Sequence, residues 1–232
     1  MLGSIVLQGL FDAIGYGLCH QLPERSFVSG GFQLSVCARD TGIYLGFALG
    51  LLALIVLARR SRPQELPRWP VLLLIGLFVG AMGLDGVTSY AGLRTTTNDL
   101  RLLTGLATGW GLSALTFPMF NAQIWTMPDA NRTPDGWRQI LAWLAMLVAA
   151  FGMIRWVLPL LGVGYPLLLV VAIVVTLNTV NMVFVGLMPR FERRAQRLTD
   201  AWLALIIASG FTVLEIAGAA WLRGFAERIL LR

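Results

Sequence analysis

Seven runs of apolar residues, separated by short polar links, divide the chain at roughly 2–18, 41–58, 70–92, 102–125, 139–161, 165–188 and 200–222. A helix needs about 20 predominantly apolar residues to cross a bilayer. The later six runs reach that length; the first is at the short limit and contains Asp12, which predicts a tilted or re-entrant helix. The pattern therefore predicts an all-α fold, a polytopic integral membrane bundle of six to seven transmembrane helices. Residues 1–232 are expected to form a single membrane-embedded domain, with no length left for a soluble one. The first run lacks a basic leader and continues into His20-Gln21-Leu22-Pro23, unlike a cleavable signal. The segment from Arg223 to Arg232 reads as a short interfacial helix with Phe225, Ile229 and Leu230 toward lipid.

Composition agrees: 57% of residues are hydrophobic and 13% charged, against about 25% charged in soluble domains. The net charge of +6 comes from 18 arginines and no lysine, which excludes Schiff-base chemistry and a lysine base. The arginines lie at helix ends in loops too short to build a nucleic-acid face, so no nucleic-acid partner is expected. Alternate loops carry ten arginines on one side (Arg59, Arg60, Arg62, Arg68, Arg132, Arg138, Arg190, Arg193, Arg194, Arg197) and seven on the other. The positive-inside rule then puts the 59–69 and 189–199 loops in the cytoplasm of a cell-membrane protein. The loop holding Cys19 and His20, and the 94–101 loop, would face outward.

Glycines at four-residue spacing (Gly42, Gly46 and Gly50; Gly76 and Gly80; Gly105 and Gly109) predict close helix packing. Asp12, Asp85, Arg155 and Glu215 fall inside apolar runs, each roughly two-thirds along its own helix or further. Each costs about 2.5–3.5 kcal/mol at a helix centre. The predicted topology places all four in the outer half of the bilayer, as a buried ion-paired network or a polar cavity floored by Asn178 and Asn181. Asn121 and Gln123 fall nearer the inner end of the fourth helix, as suited to bonding backbone as to lining a site.

The two cysteines and the single histidine all lie on one loop, at Cys19, His20 and Cys37. A Cys19–Cys37 disulfide would close a loop of about 18 residues and stabilise by about 3 kcal/mol. Alternatively Cys19, His20, Cys37 and Asp40 supply the four donors of a zinc or other borderline-metal site. One cysteine could instead be a reactive thiolate beside His20 or Arg39, or both could be inert buried thiols. Asp40 also suits the N-terminal cap of the second helix. The Arg94-to-Arg101 segment, with three threonines and Asn98, reads as an anion-binding rim or as a cap for the fourth helix.

Cys19-His20-Gln21-x-Pro23-x-Arg25-Ser26-Phe27 followed by Cys37-Ala38-Arg39-x-Thr41-Gly42-Ile43-Tyr44-x-Gly46 resembles the signature of a prokaryotic membrane-protein family, domain of unknown function 2085. Asp85-Gly86 and Thr97-Asn98-x-x-Arg101-x-x-Thr104-Gly105 resemble its second block, so that the likeness covers about residues 15–110. Asp40 stands where other members often carry a polar or cysteine residue. The resemblance implies where a site lies and supplies no reaction.

Three functions follow as expectations. In the first, an enzyme uses Cys19, His20, Cys37 and Asp40 as a metal or thiol centre, zinc being the cofactor, with Asp85 and His20 as acid or base. Arg39, Arg101, Asn98, Arg155 and Glu215 would bind an anionic lipid or isoprenoid-linked substrate. In the second, a solute or ion carrier uses the intramembrane charges. The third is a structural subunit of a membrane complex stapled at Cys19 and Cys37.

Overall fold

The computed structural model describes the backbone of residues 2–230 and the side chains of residues 5–229. Seven α-helices run antiparallel in sequence order: α1 (Leu2–Tyr16), α2 (Ala38–Ala58), α3 (Trp69–Tyr90), α4 (Asn98–Ile124), α5 (Gly136–Gly152), α6 (Gly164–Gly186) and α7 (Trp202–Leu230). A single π turn at Met153–Val157 and a 3₁₀ turn at Leu158–Leu161 extend α5 to the end of its span. The helices carry their apolar residues around most of the circumference, as expected where one face meets protein and the other lipid.

Among the described residues, five helices combine the length and composition of a membrane span: Ala38–Ala58, Trp69–Tyr90, Gly136–Leu161, Gly164–Gly186 and Leu198–Ile229. This is fewer than the six to seven expected from hydropathy. The first run forms a helix of only 15 residues. Helix α4 has 27 residues but is diluted by Thr104, Thr108, Ser113, Thr116, Asn121 and Gln123. Its position explains that composition. It runs between α2, α3 and α6 and buries Leu102, Leu106, Trp110, Ala114 and Phe117 against protein, where small and polar residues are tolerated.

The α2–α4 seam is built on glycine. A Cβ at Gly42 would stand 2.4 Å from the Leu102 carbonyl oxygen, and one at Gly109 would stand 2.0 Å from that of Ile43. The expected close packing is thus present on α2 and α4. Gly76 and Gly80 have the same spacing on α3 but nothing within 4 Å of their would-be Cβ positions, so they face away from the bundle.

Each end of the bundle is tied separately. At the arginine-rich end, β3 (Pro63–Glu65) pairs in parallel with β4 (Asp129–Arg132), and Trp125 bridges Ala195. At the other end, the 17–37 loop folds over α1 through the hairpin β1 (Val28–Ser29) and β2 (Phe32–Gln33). The Ser29 hydroxyl donates to the carbonyls of Pro159 and Gly162 at 3.0 Å, fastening the hairpin to the end of α5. The segment after Arg223 does not form a separate interfacial helix. It continues α7, because the Arg223 guanidinium donates to the Tyr16 and Cys19 carbonyls at 2.6 and 2.5 Å and draws α7 onto the end of α1.

Candidate functional site: two thiols beneath an arginine rim

Cys37 lies at the N-terminal boundary of α2, and the chain before it returns alongside the end of α1. That return brings the Cys37 backbone N–H to 3.3 Å from Cys19 Sγ, so it donates to the sulfur. One turn into α2, Asp40 Oδ2 accepts from the Cys37 thiol at 3.2 Å. The two sulfurs and an Asp40 oxygen all lie within 4.8 Å of one another, and both thiols are free.

The pair is electrostatically unequal. Turned toward Cys19 instead of Asp40, the Cys37 thiol proton stabilises a thiolate there; this outweighs burial and lowers the Cys19 pKa below the ordinary thiol value. Cys37 is pushed up because its proton is held in that hydrogen bond, and burial and the nearby Asp40 charge act in the same direction. Alkylation requires thiolate, so Cys19 should react with iodoacetamide at a lower pH than an ordinary cysteine. Cys37 should stay unmodified until the chain is unfolded. Mass mapping of the two peptides across a pH series checks this; equal reaction at both positions would contradict it.

A small cavity of about 20 Å³ adjoins the thiols, lined by Cys19, His20, Leu22, Arg25, Cys37, Arg39, Tyr90 and Arg101. It has room for one ion or one water. Its rim is braced. Arg25 lies over the Tyr90 ring with its guanidinium carbon 5.1 Å from the centroid. Arg101 donates to Asn98 Oδ1 at 2.9 Å, and the Asn98 amide donates to the Glu24 carbonyl at 3.2 Å, linking α4 to the 3₁₀ turn Pro23–Arg25. Thr97 caps α4 through its hydroxyl, and the Asn98 side chain faces the loop.

Behind this rim Asp85 is 1% exposed. It accepts from Arg39, from Arg94 at 2.5 Å and from the buried Thr96 hydroxyl at 3.0 Å. The Nε of Arg39 is buried without a partner among the described residues. Asp85 therefore anchors Arg39 at the cavity wall and shares its single negative charge between two cations. With its acceptor capacity engaged by three donors, this geometry favours positioning over acid–base work.

The remaining expected site residues do not converge here. His20 lines the cavity but is exposed and stands outside the three-atom donor cluster. Arg155 pairs with Asp99 at 2.5 Å, at the start of α4, and not with an intramembrane carboxylate. Asp12 accepts from Gln8 at 2.7 Å. Glu215 accepts from Asn181 at 2.9 Å, and Ser209 reaches Asn178, so these residues belong to the α6–α7 contact. One cavity floored by Asn178 and Asn181 is thus replaced by local pairings, because each polar group finds a partner close by, Asp12 on its own helix and Glu215 on the neighbouring one. Asn121 spans the opposite end, donating to the Pro63 carbonyl and accepting from Trp125. Gln123 packs against Gly186. Sequence reasoning missed Arg94 and Thr96 as Asp85 partners, and Arg223 as a clamp on Cys19. The Arg223–Glu227 spacing was the available signal for the last.

Residues 19–115 match the family described as "Predicted membrane protein (DUF2085)". An uncharacterized protein of Methanocaldococcus jannaschii, MJ1492, is 34% identical over 122 residues, 53% of this chain and 73% of that protein. The chain belongs to this family. A second similar protein, an uncharacterized protein of Methanothermobacter thermautotrophicus, is 40% identical over 100 residues, 43% of this chain and 84% of its own length. No solved structure matches. The DUF2085 region runs from Cys19 to Leu115 and contains every residue of the cavity lining, both thiols, Asp40 and Asp85. Helices α5 to α7 lie beyond it and contribute only braces, through Pro159, Arg155 and Arg223.

Proposed function

We propose that this integral membrane protein binds a borderline divalent metal, zinc by the chemistry of its donors, at Cys19, Cys37 and Asp40, and works on an anionic group held by Arg39, Arg101 and Arg25. The observation that carries this reading is the convergence of two sulfurs and a carboxylate oxygen within 4.8 Å beside a cavity walled by three arginines. Three protein ligands with a further position open is the pattern of catalytic rather than structural zinc. His20 adjoins the open side and supplies a fourth ligand or a proton carrier after a side-chain rotation. A metal held there would supply Lewis acidity toward a phosphate-type oxygen, and the arginines would offset the negative charge of the phosphate. Hydrolysis or transfer of an anionic head group, on a lipid or an isoprenoid carrier, is the reaction class this supports. The small cavity has room for the metal alone, so an anionic head group would approach from the arginine rim with the rest of the substrate in the bilayer. By positive-inside topology the site faces the extracytoplasmic side of the cell membrane, and residues 1–232 act as one unit.

A dithiol redox centre is the second reading, favoured by the adjacent free thiols and the lowered Cys19 pKa. A carrier has less support, because Asp12, Arg155 and Glu215 are each paired locally.

Zinc titration of purified protein tests the proposal. Cys37→Ser and Cys19→Ser should lose binding, and Asp40→Asn should weaken it by more than the roughly 10–100-fold that loss of a partner behind a ligand costs. Because metal must displace the proton held on Cys37, affinity should rise steeply with pH. Added phosphate should slow iodoacetamide alkylation of metal-free Cys19, and Arg101→Gln should keep the zinc and lose that phosphate protection. Unchanged zinc affinity in both cysteine variants would overturn the reading.

A further inference from the structure

At the opposite end of the bundle lies a larger cavity of about 390 Å³, between α2, α4 and α6 and roofed by Leu198. That volume falls within the roughly 300–1,000 Å³ of ligand pockets. Its wall is Leu51, Ile55, Phe117 and Phe120, with Arg59, Arg60 and Arg62 at the rim. The polar groups of the wall are already partnered. Asn121 donates to the Pro63 carbonyl and accepts from the Trp125 indole, both at 2.9 Å. Thr179 bonds the Val175 carbonyl, and Ser61 bonds Asp129. Arg62 is immobilised, with its guanidinium carbon 3.9 Å from the Trp125 ring centroid and an N–H on the Gln196 carbonyl at 2.8 Å. The nearby carboxylate of Asp129 is engaged by the backbone N–H of Arg62 as well as Ser61.

Arg59 and Arg60 remain. Both are exposed, and among the described residues neither has a carboxylate within ion-pair distance or a side-chain hydrogen bond. Arg59 is held at φ 59°, a left-handed conformation that a non-glycine residue adopts at some cost. The result is an apolar slot that opens under two exposed guanidinium groups without a protein partner among the described residues, at the end of a membrane span. An amphiphile with one acyl segment and a phosphate head has the complementary shape and charge, and basic pockets between transmembrane helices take such head groups.

We propose that this cavity binds an anionic phospholipid, its acyl chain between Leu51, Ile55, Phe117 and Phe120 and its phosphate on Arg59 and Arg60. The site is at the far end of the bundle from the thiols, and the proposal stands independently of any metal there. The arginines at helix termini meet the phosphate as forked donors, which a zwitterionic head group satisfies less well because its own cation competes.

The test uses delipidated full-length protein in neutral detergent, with dioleoyl phosphatidylglycerol, dioleoyl phosphatidylcholine or inorganic phosphate added, and thermal stability and native-mass adducts as readouts. Phosphatidylglycerol should raise the melting temperature and leave a retained adduct at concentrations at least tenfold lower than phosphatidylcholine. The Arg59→Gln, Arg60→Gln double variant should abolish that difference, and Ile55→Trp, which fills the slot, should weaken retention with both arginines intact. All three substitutions fall at exposed positions, so folding is expected to survive; an unchanged melting temperature without lipid verifies it. An equal response to both lipids, or phosphatidylglycerol binding undiminished in the double variant, overturns the proposal. Stabilisation by inorganic phosphate equal to that by the lipid overturns it too, since the head group alone would then account for binding.

Discussion

Replacing Asp85 by asparagine should cost the folded protein about 3 kcal/mol, the lower end of the range for breaking a buried ion pair. The lower end applies because the Arg94 side chain is 44% exposed and can turn to water, whereas Arg39 is only 14% exposed and cannot. Asparagine preserves shape and one acceptor, so Thr96 keeps a partner. What is lost is the negative charge between two guanidinium groups, and Arg39 already carries one buried unpartnered N–H. Arg39 should then move off the cavity wall, and phosphate protection should weaken along with stability. Thermal or denaturant unfolding in detergent measures the first effect, and phosphate competition measures the second. If Asp85 acts instead as an acid or base, the variant will keep its stability and lose turnover alone.

The second large effect is expected at the α2–α4 seam. Gly105→Ala would put a methyl group 2.0 Å from the Arg39 carbonyl oxygen, and Gly109→Ala would put one equally close to that of Ile43. Both obstacles are helix backbone and cannot rotate away. The helices must separate, at about 3 kcal/mol, the upper end of the range for overpacking a well-filled core. Gly105→Ala should also disturb the thiol site, because the displaced carbonyl belongs to Arg39, two residues beyond Cys37. Gly76→Ala and Gly80→Ala serve as controls. They meet open space and remove glycine's helix penalty of about 1 kcal/mol, so their melting temperatures should be unchanged or higher. Destabilisation of all four variants alike would show that the seam is not specially tight.

These glycines show what a linear sequence carries and what it does not. The apolar runs located all seven helices but ended the last at 222, eight residues short of Leu230, because hydropathy is the dominant local signal in lipid and the polar end of α7 is held by Arg223 instead. Four-residue glycine spacing identified faces able to pack closely. It did not say which faces are used: Gly42 and Gly109 meet another helix while Gly76 and Gly80 do not. Helix α4 read as one span among several, although its threonines, serine and Asn121 mark it as the helix most enclosed by others.

The charged residues were harder to read. Asp12, Asp85, Arg155 and Glu215 were grouped by depth along their helices, but depth without azimuth does not bring side chains together. Asp85 found its cations on α2 and on the loop that folds back after α3. Arg155 found Asp99, and Glu215 found Asn181. The Cys19–Cys37 region was legible as a cluster because its soft ligands occur nowhere else in the chain. Its internal order was not: the backbone turn that sets Cys37 against Cys19 depends on Gly15 closely approaching Ser35 and on Arg223 of α7.

The central claim is that Cys19, Cys37 and Asp40 form a metal site beside an arginine rim. Elemental analysis of protein purified without chelator, paired with thiol counting after denaturation under non-reducing conditions, tests it most directly. About one zinc per chain, two thiols per chain, and loss of the metal in Cys37→Ser are expected. Metal-free protein that stays so in added zinc, whether its two sulfurs count as free thiols or as a disulfide, would contradict it.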